Sequence, residues 1–314
     1  MTTILYIPGT KPPNPFSTPI QAFLISSKIS SAVAPAADKT AAQLVTTVTD
    51  ASDPAHALWE LWDAFFTSVV NISTSHAPHL ALLDAFYSHP PTQPKNVPVG
   101  SDTDLMHPSI SKGDGKLDWS KLPRFSAQWR DVHDILEDWR DWDGVRTSGE
   151  GDNSVTGTLN SSGDAYFLRF CVFSAALLKA TKGKGGVHPI WVFYACRDVL
   201  ESKGPQSHQP KAHRMPPEQI WALDVRVAAT WMRDGGRALW ETDHVELREY
   251  WGAALDDKRE LWPREDGLTR ERWQLWRERF QALSTDEGNL DQETRTVVKE
   301  AIETVEDLLG ETST

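Results

Sequence analysis

The sequence has little cysteine and no long apolar run. Its two cysteines, Cys171 and Cys196, lie in apolar segments, so we expect buried free thiols and a reducing, cytoplasmic compartment. No stretch approaches the roughly 18–20 consecutive apolar residues of a membrane span. The first residues lack the basic start and apolar centre of a secretory signal. We therefore expect neither a disulfide-stapled secreted domain nor a membrane-spanning protein.

Positive charge and strand-like alternation are also scarce. The 314 residues carry 32 Lys and Arg against 44 Asp and Glu, which gives a formal net charge of −12. Proteins that bind nucleic-acid phosphates usually present a basic face, so we expect no nucleic-acid binding. One short strand, over residues 4–7, is the only strand that the pattern predicts.

Helical periodicity dominates the rest of the chain. The clearest apolar stripe has the spacing of a buried helix face and contains Leu58, Leu61, Trp62, Phe65, Val69 and Ile72. About ten such segments without a fixed repeat predict an all-α fold, an irregular multi-helix arrangement. We expect a single domain over 1–314, with a helical extension over 1–50 and flexible loops over 89–116, 143–163 and 202–217.

Local signals predict three helix boundaries. The glycine pair at 235–236 predicts the end of a helix that starts at Pro217. A second helix is predicted over 245–262, with Tyr250 on its core face, because the proline that follows cannot continue the helical hydrogen bonds. The residues 284–287, Ser-Thr-Asp-Glu, have the form of a capping box and predict a helix start.

Tryptophan is unusually frequent, with 14 residues. Trp273 and Trp276 form a Trp-x-x-Trp motif and share one face of a predicted helix with Phe280. Most tryptophans are expected in the core, because each ring buries a large area. The same abundance can line a pocket for a flat ligand, and we select Trp231, Trp273 and Trp276 as candidate ligand-binding residues.

Two acidic clusters resemble aspartate-rich magnesium motifs. Asp138 and Asp141 belong to the first cluster, and Asp256 and Glu260 belong to the second. All-helical terpenoid synthases use two such clusters to hold Mg²⁺ on a diphosphate, since Mg²⁺ takes oxygen ligands and bridges phosphates. Helical geometry turns both clusters away from the core faces of their helices. Solvated acidic faces are therefore the favoured interpretation, and no metal site is expected.

One histidine has carboxylates beside it. His133 lies between Asp131 and Asp134, and a neighbouring carboxylate can orient an imidazole for acid–base work. No serine or cysteine nucleophile is placed beside it by the sequence. The arginines around the Trp-x-x-Trp motif, Arg272 among them, are expected on a solvated or salt-bridged face.

Four segments carry a family resemblance. They are Leu58-Trp59-Glu60-Leu61-Trp62, residues 119–125, Ala228-Ala229-Thr230-Trp231-Met232 with the glycine pair, and, most specifically, residues 271–280 with 293–295. Through them the region 58–308 resembles a family of uncharacterised proteins from filamentous fungi, domain of unknown function 3632. The resemblance implies an all-helical fold and a fungal source. It supplies no catalytic residues, but it implies a small-molecule role near secondary-metabolite pathways.

The favoured hypothesis is a cytoplasmic protein that binds or transforms an apolar small molecule in secondary-metabolite biosynthesis. A cyclase-like reaction of this kind needs no cofactor, because orientation alone can promote it. His133, Tyr166 and Arg169 are the candidate catalytic residues, beside the three tryptophans named above. The alternatives are a non-catalytic protein-interaction module and a Mg²⁺-dependent prenyl-diphosphate enzyme. Catalysis itself and the oligomeric state stay open.

Overall fold

The computed structural model describes residues 14–27, 33–71, 75–96, 115–142, 163–205, 214–286 and 288–311. Within these ranges the secondary structure consists of eleven α-helices and one 3-10 turn, without a strand. The all-α prediction is therefore confirmed. None of the helices described has the length and apolar content needed to cross a membrane. The strand predicted over 4–7, and most of each predicted loop, lie outside the described residues.

The helices fall into two compact units. One comprises the described residues up to 138, and the other comprises the described residues from 139 onward. The single domain predicted over 1–314 stays a prediction. The helices are α1 Ser17–Ser27, α2 Val33–Asp50, α3 Pro54–Asn71, α4 Ala77–Tyr87, α5 Phe125–Trp139, α6 Gly163–Thr181, α7 Ile190–Leu200, α8 Pro217–Trp240, α9 His244–Leu255, α10 Arg270–Ser284 and α11 Gln292–Gly310; the 3-10 turn is Trp119–Lys121.

In the first unit, α1, α2 and α3 pack against one another, and α4 packs on α1, α2 and the 3-10 turn. Trp62 is fully buried at the centre, with its ring edge-on to Phe86 and Phe125. Its indole N–H donates to the Pro123 carbonyl at 2.6 Å. The predicted stripe is thus buried as expected from Leu58 to Val69, whereas Ile72 lies outside the described residues, and the polar atom of Trp62 has a partner.

In the second unit, α8 packs on α6, α7 and α11, and α10 packs on α7 and α11. The predicted end of α8 at the glycine pair is wrong, since the helix continues to Trp240. A Cβ on Gly235 would lie 2.5 Å from Leu178 and 2.7 Å from Val192. Glycine is needed there because α6 and α7 approach the α8 backbone closely. Glycine lowers the local helix propensity, but it does not end the helix.

The helix predicted over 245–262 is confirmed up to Leu255, where α9 ends, and its extension to 262 is wrong. The Leu261 N–H donates to the carbonyl of Glu201 at 3.0 Å, a long-range bond that holds this segment out of helical conformation. Tyr250, predicted on a core face, has 66% of its surface exposed. The residues after α9 therefore form a loop, at 256–269.

The capping box predicted at 284–287 does not start a helix. Helix α11 starts eight residues later, where the Asp291 carboxylate accepts from the Thr294 N–H at 2.6 Å. Asp286 instead accepts from the N–H groups of Gly288 and Asn289, each at 3.1 Å. This short-range turn satisfies Asp286 locally, so the resemblance to a capping box was misleading.

Candidate functional site

A buried ion pair lies behind the Trp-x-x-Trp helix. The guanidinium of Arg272 donates from Nε and Nη2 to the two carboxylate oxygens of Glu201, at 2.6 and 2.8 Å. Both side chains have 0% exposure. The expectation that Arg272 lies on a solvated or salt-bridged helix face is therefore wrong as to solvation, because its charge is paired in the interior. Bidentate geometry of this kind is what offsets the cost of burying two charges.

The same guanidinium also fixes two backbone segments. Its Nη1 donates to the carbonyls of Leu255, at 2.6 Å, and Gly267, at 2.9 Å. Its Cζ lies 4.8 Å from the ring centroid of Phe193 and 5.5 Å from that of Trp262. Arg272 thereby ties the end of α9 and the loop 256–269 to the core of the second unit.

Trp276 belongs to this network. Its indole N–H donates to the same Glu201 carboxylate at 2.9 Å, and the side chain is fully buried. Burial raises the pKa of the neighbouring Cys196 thiol well above its usual range, and the negative charge of Glu201 acts in the same direction. The burial of Trp276 in the core therefore follows from its hydrogen bond to the ion pair. The raised pKa makes Cys196 an unreactive thiol.

A cleft of about 520 Å³ opens between α9 and the start of α10. Its apolar wall comprises Trp240, Leu247, Leu255, Leu268 and Trp273. The rings of Trp240 and Trp273 meet edge to face, with centroids 5.2 Å apart. Two aromatic rings and three leucines provide the kind of surface on which the body of a small organic molecule packs.

The polar wall of the cleft contains His244, Arg248, Asp266 and Arg270. Arg248 donates to Asp256 at 2.6 Å, and Arg270 donates to the Leu309 carbonyl. Asp266 pairs with Arg264 through Oδ2. Its other oxygen, Oδ1, is buried and has no hydrogen-bond partner in the described part of the chain. Since buried polar atoms normally have partners, Oδ1 is an acceptor available to a bound molecule or water.

Gly267 allows Arg248 to approach this wall. Its φ of +73° is a left-handed conformation that favours glycine, and a Cβ would lie 3.3 Å from the Arg248 guanidinium. A larger residue at this position would both strain the backbone and push Arg248 away from the cleft.

Helix α9 forms the outer wall and is weakly embedded. Only Leu247 and Leu255 of its residues are buried, whereas Val245 and Tyr250 are 71% and 66% exposed. The helix is interrupted at Trp251, where φ is −131° and ψ is 16°. Few buried contacts and a backbone break are the features of an element with low local stability.

Of the candidate ligand-binding tryptophans, Trp273 lines the cleft, whereas Trp231 and Trp276 are core residues. Tyr166 and Arg169 lie together on α6, with the guanidinium 5.9 Å from the ring centroid, and neither lines the cleft. The other lining residues could not be selected from the sequence, since they come from α8, α9, α10 and a loop.

His133, on α5 of the first unit, is buried and stacks on Trp129, with ring centroids 5.2 Å apart. Its Nδ1 lies 3.4 Å from Asp134 and 3.9 Å from Glu137. The expected neighbouring carboxylate is thus Asp134, joined by Glu137, and Asp131 is exposed on the same helix.

The acidic candidates for Mg²⁺ have protein partners. Asp141 pairs with Arg214, Asp256 with Arg248, and Glu260 with Lys203 at 2.8 Å. Hydrogen bonds from Lys203 hold the pKa of Glu260 below its usual range. Asp138 is exposed near the end of α5. Each pairing supplies a protein cation in place of a metal, which counts against the diphosphate-enzyme hypothesis.

The described residues thus form an all-helical protein. Its second unit contains a cleft with two indole rings and a buried ion pair between Arg272 and Glu201. The chain belongs to the family described as Protein of unknown function (DUF3632), whose model matches residues 62–280. The matched region includes α3 from Trp62 onward and most of α10, which carries Arg272, Trp273 and Trp276. No curated protein and no solved structure matches the chain.

Proposed function

We propose that this protein binds a small amphipathic molecule in the cleft between α9 and α10. The aromatic or aliphatic body packs on Trp240, Trp273 and Leu255, and a hydroxyl or amine donates to Asp266. The observation that carries the proposal is the buried Asp266 Oδ1, which has no partner among the described residues and belongs to a residue that lines a cleft with two indole rings.

The charges that line the cleft favour a ligand with a neutral or cationic donor group over an anionic ligand. The two arginines of the polar wall are already engaged, Arg248 with Asp256 and Arg270 with a backbone carbonyl. The Asp266 carboxylate, in contrast, keeps one oxygen for an additional donor. A hydrogen bond to a charged acceptor contributes about 1.5–3 kcal/mol, or roughly ten- to hundredfold in affinity.

The role in secondary metabolism implied by the family resemblance is a finer part of the same proposal. A cleft of this shape can also promote a cyclisation by holding one conformer of its ligand, without a cofactor. Comparing the metabolites of the source organism with and without the gene tests this part. Accumulation of an intermediate that the purified protein then converts supports catalysis, and an unchanged profile contradicts a biosynthetic role. The fungal source and the cytoplasmic location stay predictions.

The binding proposal is tested with three probes of the same ring: naphthalenemethanol, naphthylmethylammonium and methylnaphthalene. Calorimetric titration should show tighter binding of the two donor probes than of methylnaphthalene. Asp266→Ala should remove that difference, whereas Trp240→Ala should weaken all three probes. Trp142→Ala is the matched control, because Trp142 is exposed and lies outside the cleft. Affinities for the two donor probes that are unchanged by Asp266→Ala would contradict the proposal.

A protein-interaction role is the second candidate, and the exposed Val245 and Tyr250 on α9 favour it. Replacing both with serine should release a co-purifying partner while the cleft still binds naphthalenemethanol. Retention of such a partner by the double variant would remove this candidate.

A further inference from the structure

One turn of α5 brings together three side chains that can ligate a metal ion. His133, Asp134 and Glu137 each offer one ligand atom, and these atoms all lie within 4.8 Å of one another. His133 and Glu137, at i and i+4, are neighbours on one helix face, and Asp134 follows His133 on the same turn. The cluster is independent of the cleft and of the function proposed for it.

The imidazole distinguishes this cluster from the solvated acidic residues elsewhere on the chain. The side chain of His133 is only 8% exposed, and its ring is held against Trp129. The ring nitrogen Nδ1 is directed at two carboxylates, which are themselves 64% and 48% exposed. One ligand is therefore fixed by packing, and two mobile ones can close on an ion without backbone movement.

The spacing of the three ligand atoms is compatible with a shared metal ion. The Nδ1 atom lies 3.4 Å from the Asp134 oxygen and 3.9 Å from the Glu137 oxygen. The shorter distance is a long hydrogen bond between the ring nitrogen and Asp134, which a metal ion bound between the two groups would replace. Ligand atoms about 2.0–2.2 Å from a tetrahedral zinc ion are separated from one another by roughly 3.4 Å. The ligand atoms thus lie near the spacing that a zinc ion requires.

We propose that His133, Asp134 and Glu137 bind one divalent transition-metal ion of the zinc type, with water completing its coordination. Imidazole nitrogen favours zinc, nickel or copper, whereas magnesium takes oxygen ligands almost exclusively. The two carboxylates supply two negative charges, which balance the charge of the ion. Three protein ligands and an open position describe an exchangeable site rather than a closed structural one.

The experiment is a calorimetric titration of the full chain with zinc chloride and, in parallel, with magnesium chloride. The wild-type protein should bind one zinc ion at this site and show no comparable magnesium binding. His133→Asn and Glu137→Gln should each weaken that event by more than the roughly 10–100-fold that loss of an outer-shell partner costs. Asp138→Asn is the control, since this exposed carboxylate lies on the same helix outside the cluster.

Cobalt substitution gives a second readout that does not depend on affinity. Cobalt bound by one nitrogen and two oxygen ligands gives a visible absorption band, which His133→Asn should shift or remove while circular dichroism shows the helices intact. Zinc binding that is unchanged in both variants would overturn the proposal. The absence of a saturable event in the wild-type protein would overturn it as well, and would leave the cluster as a hydrogen-bonded group of side chains.

Discussion

Replacing Arg272 with methionine should destabilise the second unit strongly. The substitution keeps an unbranched apolar stem but removes the guanidinium, so the Glu201 carboxylate stays buried with the Trp276 indole as its remaining side-chain donor among the described residues. It also removes the donor that serves the carbonyls of Leu255 and Gly267. Removing one partner of a buried ion pair costs about 3–5 kcal/mol, so we expect about 4 kcal/mol.

Scanning calorimetry and urea unfolding measure this loss. For a unit of this size, about 4 kcal/mol corresponds to a decrease in Tm of roughly 8–16 °C. The double variant Arg272→Met/Glu201→Leu should be more stable than Arg272→Met alone, because no unpaired charge is then left in the core. The difference in unfolding free energy between the single and double variants measures the cost of burying the Glu201 carboxylate without its partner.

Arg277→Met is the matched control, with the same substitution on the same helix. Arg277 is 34% exposed and lies 3.9 Å from Glu278, and surface pairs of this kind contribute about 0–1 kcal/mol. An Arg272→Met variant within about 1 kcal/mol of the wild type would refute the reasoning, given the expected cost of breaking a buried pair. A double variant less stable than the single one would refute the role of the buried charge.

Three further predictions concern packing, pH and dynamics. Gly235→Ala should destabilise the protein by about 1–3 kcal/mol in urea unfolding, since its Cβ would overlap Leu178. Burial and the nearby His76 lower the pKa of His79 to about 3, from 6.5. Because the unfolded chain then binds the proton first, the stability that His79 contributes should be constant above pH 6.5 and decrease by about 1.4 kcal/mol per pH unit as the pH falls toward 3. Amide hydrogen exchange should be faster in α9 than in α8, because α9 has few buried residues.

Each of these predictions has a contradicting result. Unchanged urea midpoints for Gly235→Ala would show that α6 and α7 can move away from α8. His79→Gln should flatten the pH dependence between pH 6.5 and 5, above the range where most carboxylates titrate, and an unchanged slope would assign it to another group. Equal protection of α9 and α8 would show that α9 is held as firmly as the core.

The helices could be predicted because the apolar pattern that identifies a helix lies within a short stretch of the sequence. The α3 stripe contains Leu58, Leu61, Trp62, Phe65 and Val69, all of which are buried in the structure. Periodicity reports which face of a helix is covered, and it needs no knowledge of the covering element. The family resemblance rested on the same kind of local pattern, and the family model confirms it.

The sequence predictions were wrong where residues far apart in the chain determine the local structure. Glu201 lies 71 positions before Arg272, so their pairing could not be deduced from either segment alone. The same residue accepts the N–H of Leu261 and thereby prevents the helix predicted there. One local signal was available, since Arg272 and Trp276 are four residues apart and share a helix face. A charged residue on the face of a buried tryptophan indicates an internal partner.

The residues that line the cleft could be predicted from the sequence only in part, for the same reason. Trp273 was selected because it stood in a conspicuous motif, and it does line the cleft. Trp240 and Asp266 had no such motif, and only the chain fold places them beside it. Sequence patterns identified an aromatic residue of the site but not the acceptor that gives the site its proposed preference for a donor.

The most direct test of the proposed binding function is a crystal structure of the protein with naphthalenemethanol bound. The account predicts the naphthalene ring against Trp240 and Trp273 and its hydroxyl within hydrogen-bond distance of Asp266 Oδ1. A cleft filled only by ordered water, with the probe bound elsewhere or not at all, would contradict it.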